Sequence, residues 1–266
     1  MPTVYLNLPF QTTFAISTNC DELIRLICLK YGVYASFEPS ASTDKKISVQ
    51  KNQNIYYFST DSFSTSTDCP LSAIDKYMFD NTVYDERILA LHGAAVEYDG
   101  YCHLFLASTT SGKTTLTSYL TSNGFGYLTD DCILLDRSDY KIHPFTTPIQ
   151  LREGGLAILN QCNSVPKDIR KLDEPPALTR YVYTPEGCVH RPVPLKNVYF
   201  IKLTEGENYL SDMSTTERMT ELLKSPITPY GITKEYLCFI SRLAKTNCQR
   251  LFYSDMNFVK DVITNG

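Results

Sequence analysis

Hydrophobic and polar positions alternate over residues 4–8 and 11–16, which predicts two short strands separated by a Leu8-Pro9 turn. The period changes over residues 20–31. There Leu23, Ile24, Ile27 and Leu29 fall near one face of a helix, and Asp21 and Glu22 suit its positive N-terminal end. Residues 38–46 are polar and Ser-rich, a loop, and residues 47–49 and 55–59 again have strand character. A Ser/Thr/Asp-rich stretch, 60–68, leads to Pro70, which fits the first turn of a helix reaching Phe79.

Near Ile88 the character changes. Residues 89–97 form an apolar run that predicts a strand, and Asp99-Gly100 is a hairpin signal before a second strand at 102–107. A helix is expected over 114–123 with Gly124 at its C-terminal cap, then a strand over 126–135 and more extended chain within 142–151. Residues 198–203 predict another strand. Ser214, Thr215, Thr216 and Glu217 have the spacing of a capping box for a helix through Leu223. Helical pattern returns over 235–245 and 256–264, with extended chain at 250–253 between them. No internal repeat or low-complexity linker interrupts the chain. The pattern divides it into a smaller α+β N-terminal region, 1–85, and a larger α/β region, 86–266.

Composition narrows the class. With 266 residues, 43% of them hydrophobic and 20% charged, the chain buries a core without metals or disulfides and is not a disordered polypeptide. Twenty-five basic residues against 29 acidic ones give a net charge of −4, which argues against a nucleic-acid partner, since the phosphate backbone demands cationic excess. No run approaches the roughly 20 apolar residues of a membrane helix, so no membrane partner is expected. Residues 1–9 lack the basic start and apolar core of a signal peptide. The nine cysteines are odd in number, scattered from Cys20 to Cys248, and include no C-x-x-C pair. Reduced thiols and a cytoplasmic location follow as expectations.

The chemistry concentrates in Ala107, Ser108, Thr109, Thr110, Ser111, Gly112, Lys113 and Thr114. This run satisfies the G-x-x-x-x-G-K-[ST] phosphate loop except that Ala107 occupies the first glycine position. It follows an apolar strand and leads into a helix, the context the motif needs. Backbone N–H groups of residues 108–115, through Thr115, can curl around phosphate oxygens at the helix's positive end. Lys113 can neutralise phosphate charge, and the Thr114 hydroxyl can ligate Mg²⁺. Ala107 suits its place only if that position does not require positive φ.

Sixteen residues beyond Thr114, Asp130 and Asp131 sit side by side within an apolar run. Two adjacent carboxylates there are costly unless a metal, a cation or hydrogen-bond donors receive them. In a nucleotide site one can organise Mg²⁺ and the other can accept a proton from an attacking hydroxyl. His92 lies just before Gly93 at a strand edge; a lone histidine in such a place is by itself more often structural. His103, His143 and His190 have no metal-ligand spacing.

Leu91-His92-Gly93, the phosphate loop, Gly124 to Asp131, and Pro148-Ile149-Gln150-Leu151-Arg152 together resemble the catalytic domain of HPr kinase/phosphorylase. They are still more similar to the smaller HPr-kinase-like enzymes of ribosomal-peptide biosynthesis, including the lasso-peptide kinases. The resemblance covers residues 88–156, about a quarter of the chain. It implies a P-loop kinase core like that of phosphoenolpyruvate carboxykinase, a mixed sheet with flanking helices. It also implies an ATP- and Mg²⁺-dependent transfer of phosphate to a serine hydroxyl of a peptide or small protein. The family's catalytic histidine falls on His92, its loop lysine on Lys113, its metal-binding hydroxyl on Thr114 and its acidic pair on Asp130 and Asp131; which aspartate is the proton acceptor stays open. Gln150 stands where the family carries a metal-binding carboxylate, and Arg180 and Arg191 are candidates for its later catalytic arginine. Phosphorolysis is not inherited with the resemblance, and a homo-oligomer stays open. A nucleotide-binding regulatory module and a small-molecule kinase on the same fold remain alternatives.

Overall fold

The computed structural model describes residues 1–10, 12–39, 43–82, 86–108, 111–174, 178–225, 227 and 233–266. The chain is a mixed α/β protein that divides into two compact units. The first contains residues 1–85, 150–153 and 168–184; the second contains 86–149, 154–167 and 185–266. The units therefore interleave along the chain, where the sequence pattern suggested two consecutive regions.

In the first unit, Thr3–Leu6 pairs antiparallel with Phe14–Thr18, which runs parallel to Lys45–Asn52. Ile55–Thr60 and the exposed edge strand Ser64–Thr67 extend the sheet on one side, and Ala35–Ser36 on the other. Alternation places Val4, Leu6, Ile47, Val49 and Phe58 in the core with Leu23 and Ile27 of helix Asp21–Tyr31 and Leu71 and Ile74 of helix Pro70–Asn81. A separate three-stranded sheet, in the order Ile149–Leu151, Leu178–Tyr183, Arg170–Glu174, comes from the later segments. The sequence pattern showed neither of the last two strands; Arg170–Glu174 is largely polar, and Leu178–Tyr183 interrupts its apolar residues with Thr179 and Arg180.

The second unit is built on a nine-stranded mixed sheet. Its centre is parallel: Tyr101–Leu106, Val193–Leu203 and Asn247–Tyr253 run in one direction, and Tyr209–Asp212 closes that side antiparallel. On the other flank of Tyr101–Leu106 lie Ala94–Tyr98 and then Gly126–Thr129. Ile88–His92, Cys132–Asp136 and Lys141–His143 form an antiparallel wing that joins the sheet through Val193 and Pro194. The core holds Leu89, Leu91, Leu104, Leu106, Leu128, Ile133, Leu135 and Val198 with Phe239, Ile240 and Leu243. Helix Thr215–Leu222 begins with the expected capping box, Ser214 and Glu217 bonding each other's backbone N–H groups. Thr233 caps Lys234–Leu243, and Asp255 caps Met256–Asn265.

Two expected strands are each broken in two. The run 89–97 splits at Gly93 into Ile88–His92 and Ala94–Tyr98, which pair with different neighbours. The cause is close packing. A Cβ on Gly93 would lie 2.6 Å from Leu106 Cδ2 and 2.7 Å from the Phe105 carbonyl oxygen, so no other residue lets the chain cross there without rearrangement. The run 126–135 splits at Asp130-Asp131, where Asp131 takes φ of 80°. Helix Glu153–Gln161 was also not anticipated; its Gly154 and Gly155 are poor helix formers. All nine cysteines are free thiols. Among the described residues no helix is long and apolar enough to cross a membrane.

Candidate functional site

Strand Tyr101–Leu106 is buried from Cys102 onward, and the chain leaves it through small residues before entering helix Lys113–Ser122. Gly112 makes the turn with φ of 87°, in the left-handed region that costs an L-residue about 1–2 kcal/mol. Space imposes the same requirement, because a Cβ on Gly112 would sit 2.9 Å from the Tyr253 hydroxyl. No side chain caps this helix at Gly112, so its first N–H groups face the loop without a protein acceptor from the cap residue. Ala107 is not among the positive-φ residues, which explains why alanine serves where the motif has glycine.

The loop is held from inside. Ser111 Oγ donates to the Ser108 carbonyl at 2.7 Å, and Lys113 Nζ donates to the carbonyls of Ala107 at 2.8 Å and Ser108 at 3.0 Å. The ammonium is thus folded beneath the loop, and burial lowers the Lys113 pKa against the opposing pull of Asp131 and Asp130. Thr114 and Thr115 occupy the first helical turn, both half-buried. Thr109 and Thr110 lie outside the described residues.

The carboxylates differ sharply in surroundings although they are adjacent. Asp130 is 6% exposed, and its Oδ1 has no hydrogen-bond partner. Burial, with Asp131 beside it, pushes its pKa well above the ordinary carboxylate value, while the Thr114 hydroxyl and the Lys113 charge pull the other way. Asp131 is exposed. Its left-handed backbone is fixed through its carbonyl, which accepts from Gly93 N–H at 3.3 Å and lies 3.2 Å from His92 Nδ1. Thr129 Oγ1 closes the same turn by donating to the Cys132 carbonyl at 2.7 Å.

His92 is half-buried opposite Cys132 in the antiparallel register. Its backbone N–H donates to the Ser225 carbonyl at 2.5 Å. A carbonyl only accepts, so the bond to Asp131 requires the proton on Nδ1 and leaves Nε2 of the neutral ring as an acceptor. The structure therefore brings His92, Lys113, Thr114, Asp130 and Asp131 to one end of the sheet of the second unit. Gln150 and Arg180 belong to the first unit, and Arg191 is exposed ahead of strand Val193–Leu203. Tyr253 and Ser225, which contact this site, had no signal in the sequence, because parallel pairing and a chain return bring them there from far along the chain.

Among the described residues no group of three or more His, Cys, Asp or Glu side chains converges to hold a metal alone. The oxygen donors of Thr114 and Asp130 suit a hard divalent cation that takes its remaining ligands from water and substrate phosphates. The unpartnered, buried Asp130 Oδ1 fits such a role, since a carboxylate so placed wants a cation. His92, Ala107, Ser108, Ser111 and Ser225 border a cleft of about 830 Å³ that opens beside the loop.

No protein-family model matches the chain, and no curated protein matches it. Among solved structures, the chain is similar to the Hpr(Ser) kinase/phosphatase from Coxiella burnetii, at 13% identity over 66% of this chain and 88% of that one. The TM-score is 0.35, and at that level the likeness carries no weight in assigning chemistry.

Proposed function

We propose that the second unit is an ATP- and Mg²⁺-dependent kinase that transfers phosphate to a serine hydroxyl of a peptide or small protein. The observation that supports this reading most is that the loop lysine, Lys113, comes under the charge of a buried carboxylate, Asp130, one oxygen of which lacks a partner. Lys113 feels the charge of both aspartates, yet its ammonium donates to loop carbonyls and forms no ion pair with Asp130 among the described contacts.

The loop and the uncapped helix end bind the triphosphate through backbone N–H groups. Lys113 leaves the carbonyls of Ala107 and Ser108 to meet phosphate oxygens, where its charge offsets the negative charge shifting towards the leaving group. Thr114 and Asp130 would hold Mg²⁺, which supplies charge neutralisation on the phosphates when bound. Of the two aspartates, Asp131 is the exposed one, and in this reading it takes the proton from the acceptor hydroxyl. His92 fixes Asp131 through its carbonyl and borders the cleft, and its Nε2 would serve as a second proton-accepting group.

The test is incubation with ATP labelled at the γ-phosphate, Mg²⁺ and a serine-centred peptide library. Label on peptide that is lost when serine is replaced by alanine supports the reading. Label transferred only to a small metabolite, or ATP bound without any transfer, overturns it in favour of a small-molecule kinase or a regulatory module.

A further inference from the structure

The cleft beside the loop runs on along one face of the sheet. Val193–Leu203 and Asn247–Tyr253 are parallel neighbours there, with Phe200 in register with Arg250 and Lys202 with Phe252. Registered side chains of adjacent strands point to the same side, so these four make one surface, and all four line the cleft. Lys224 and Glu221, at the end of helix Thr215–Leu222, line it as well.

This wall has a charge opposite in sign to the chain as a whole. Its described lining carries Lys202, Lys224 and Arg250 against the single carboxylate Glu221, in a protein of net charge −4. One oxygen, Glu221 Oε1, serves two of the cations, at 3.0 Å from Lys224 Nζ and 4.0 Å from Arg250 Nη2. The second separation is beyond hydrogen-bond reach, so the Arg250 guanidinium keeps donors for an incoming carboxylate, which it can grip with two parallel bonds. The surface between the charges is apolar. Phe252 stacks on Tyr209 at 4.5 Å, and Lys202 Nζ lies 5.7 Å from the Phe252 ring centre.

We infer that this wall binds the phosphate acceptor and selects a peptide with carboxylate side chains flanking its serine. The inference rests on reading the loop as the ATP site of a kinase. Continuity is the reason for choosing the acceptor: the same cleft is bordered by His92 and by Ser108 and Ser111 of the loop, so a chain lying on it reaches the transfer point. Phosphates already have the loop and Lys113, whereas alternating cations and aromatic rings match the carboxylates and side-chain surface of an acidic peptide.

The experiment uses the full chain with labelled ATP and a serine-centred library in which each flanking position is fixed in turn as Asp, Lys or Ala. The wild-type protein should prefer Asp over Lys in kcat/KM by about tenfold or more at one or more positions. Lys224→Glu and Arg250→Glu should each narrow that ratio by about three- to tenfold. The ratio is independent of how much of each variant is folded, and Lys224, the more exposed of the two, guards against loss of the partly buried Arg250. Transfer to serine with no acidic preference, or a preference that neither variant changes, overturns the inference and leaves the kinase intact. No transfer to any peptide, the alanine-flanked pool included, removes the kinase reading and this inference with it.

Discussion

Asp130 should destabilise the protein it serves. Its carboxyl is buried, one oxygen lacks a partner, and its pKa is raised by that burial and by Asp131. A carboxyl whose pKa is higher in the folded than in the unfolded chain adds stability below the unfolded value of 3.8, and that stability is lost as pH rises through the folded value. At neutral pH the wild-type protein therefore bears the cost of a charge, or of a proton it would not otherwise bind. Asp130→Asn keeps the shape and removes that cost. Asn leaves a polar group in the same place but never a charge, and sparing a buried site that charge is worth about 1–3 kcal/mol. At about 2–4 °C per kcal/mol for a domain of this size, the melting temperature should rise by about 2–12 °C. The assay is thermal unfolding followed by near-ultraviolet circular dichroism from pH 8 down towards pH 4. The gain should be largest at the alkaline end and shrink towards the acid end, where both proteins are neutral at this position. Mg²⁺-ATP should narrow or reverse the difference by stabilising the wild type more than the variant. An unchanged or lower melting temperature for Asp130→Asn at pH 8, or a gain independent of pH, would refute the claim that the carboxyl is strained by its surroundings.

Other consequences can be checked singly. Lys113→Ala should lower turnover by about 10²-fold or more while leaving circular dichroism unchanged, because among the described residues the ammonium donates to loop carbonyls and to no core group. Asp130→Asn should raise the Mg²⁺ concentration needed for half-maximal rate, whereas Asp131→Asn should lower turnover at every Mg²⁺ concentration; titrating both variants side by side separates the two roles. Gly112→Ala should cost about 1–2 kcal/mol for its positive φ and weaken ATP binding, and adding Tyr253→Phe should recover only the part due to the crowded hydroxyl. Gly93→Ala should destabilise the second unit by about 1–3 kcal/mol, read as a drop in denaturant midpoint, since its Cβ would press on Leu106, Ile133 and the Phe105 carbonyl.

The strand, loop and helix around Lys113 were legible because everything that forms them is local: an apolar run, small residues, glycine before lysine, and a capping pattern at the other helices. The breaks at Gly93 and Asp131 were not. Each lies within an apolar run, and what interrupts the strand is a contact from elsewhere: Leu106 and Phe105 crowd Gly93, and Gly93 N–H fixes the Asp131 carbonyl. The paired aspartates could be picked out as costly in an apolar setting, but not which one is buried. That depends on the crossing from one part of the sheet to another between Thr129 and Cys132. Edge strands Ser64–Thr67 and Tyr209–Asp212 escaped notice because exposure removes the apolar alternation that marks a strand. The cationic wall was hidden for a different reason. Lys202, Lys224 and Arg250 are unremarkable in a chain with 25 basic residues until parallel pairing sets two of them on one face.

The measurement that bears most directly on the central claim is mass spectrometry of serine peptides after incubation with ATP and Mg²⁺, run in parallel with wild-type protein and Lys113→Ala. The account predicts phosphate on the serine oxygen with the wild type and its near disappearance with the variant at equal folded concentration. Equal phosphorylation by both proteins would contradict it by removing the loop from the reaction. Unmodified peptides with both, under conditions where the wild type binds ATP, would contradict it by leaving a nucleotide site that performs no transfer to serine.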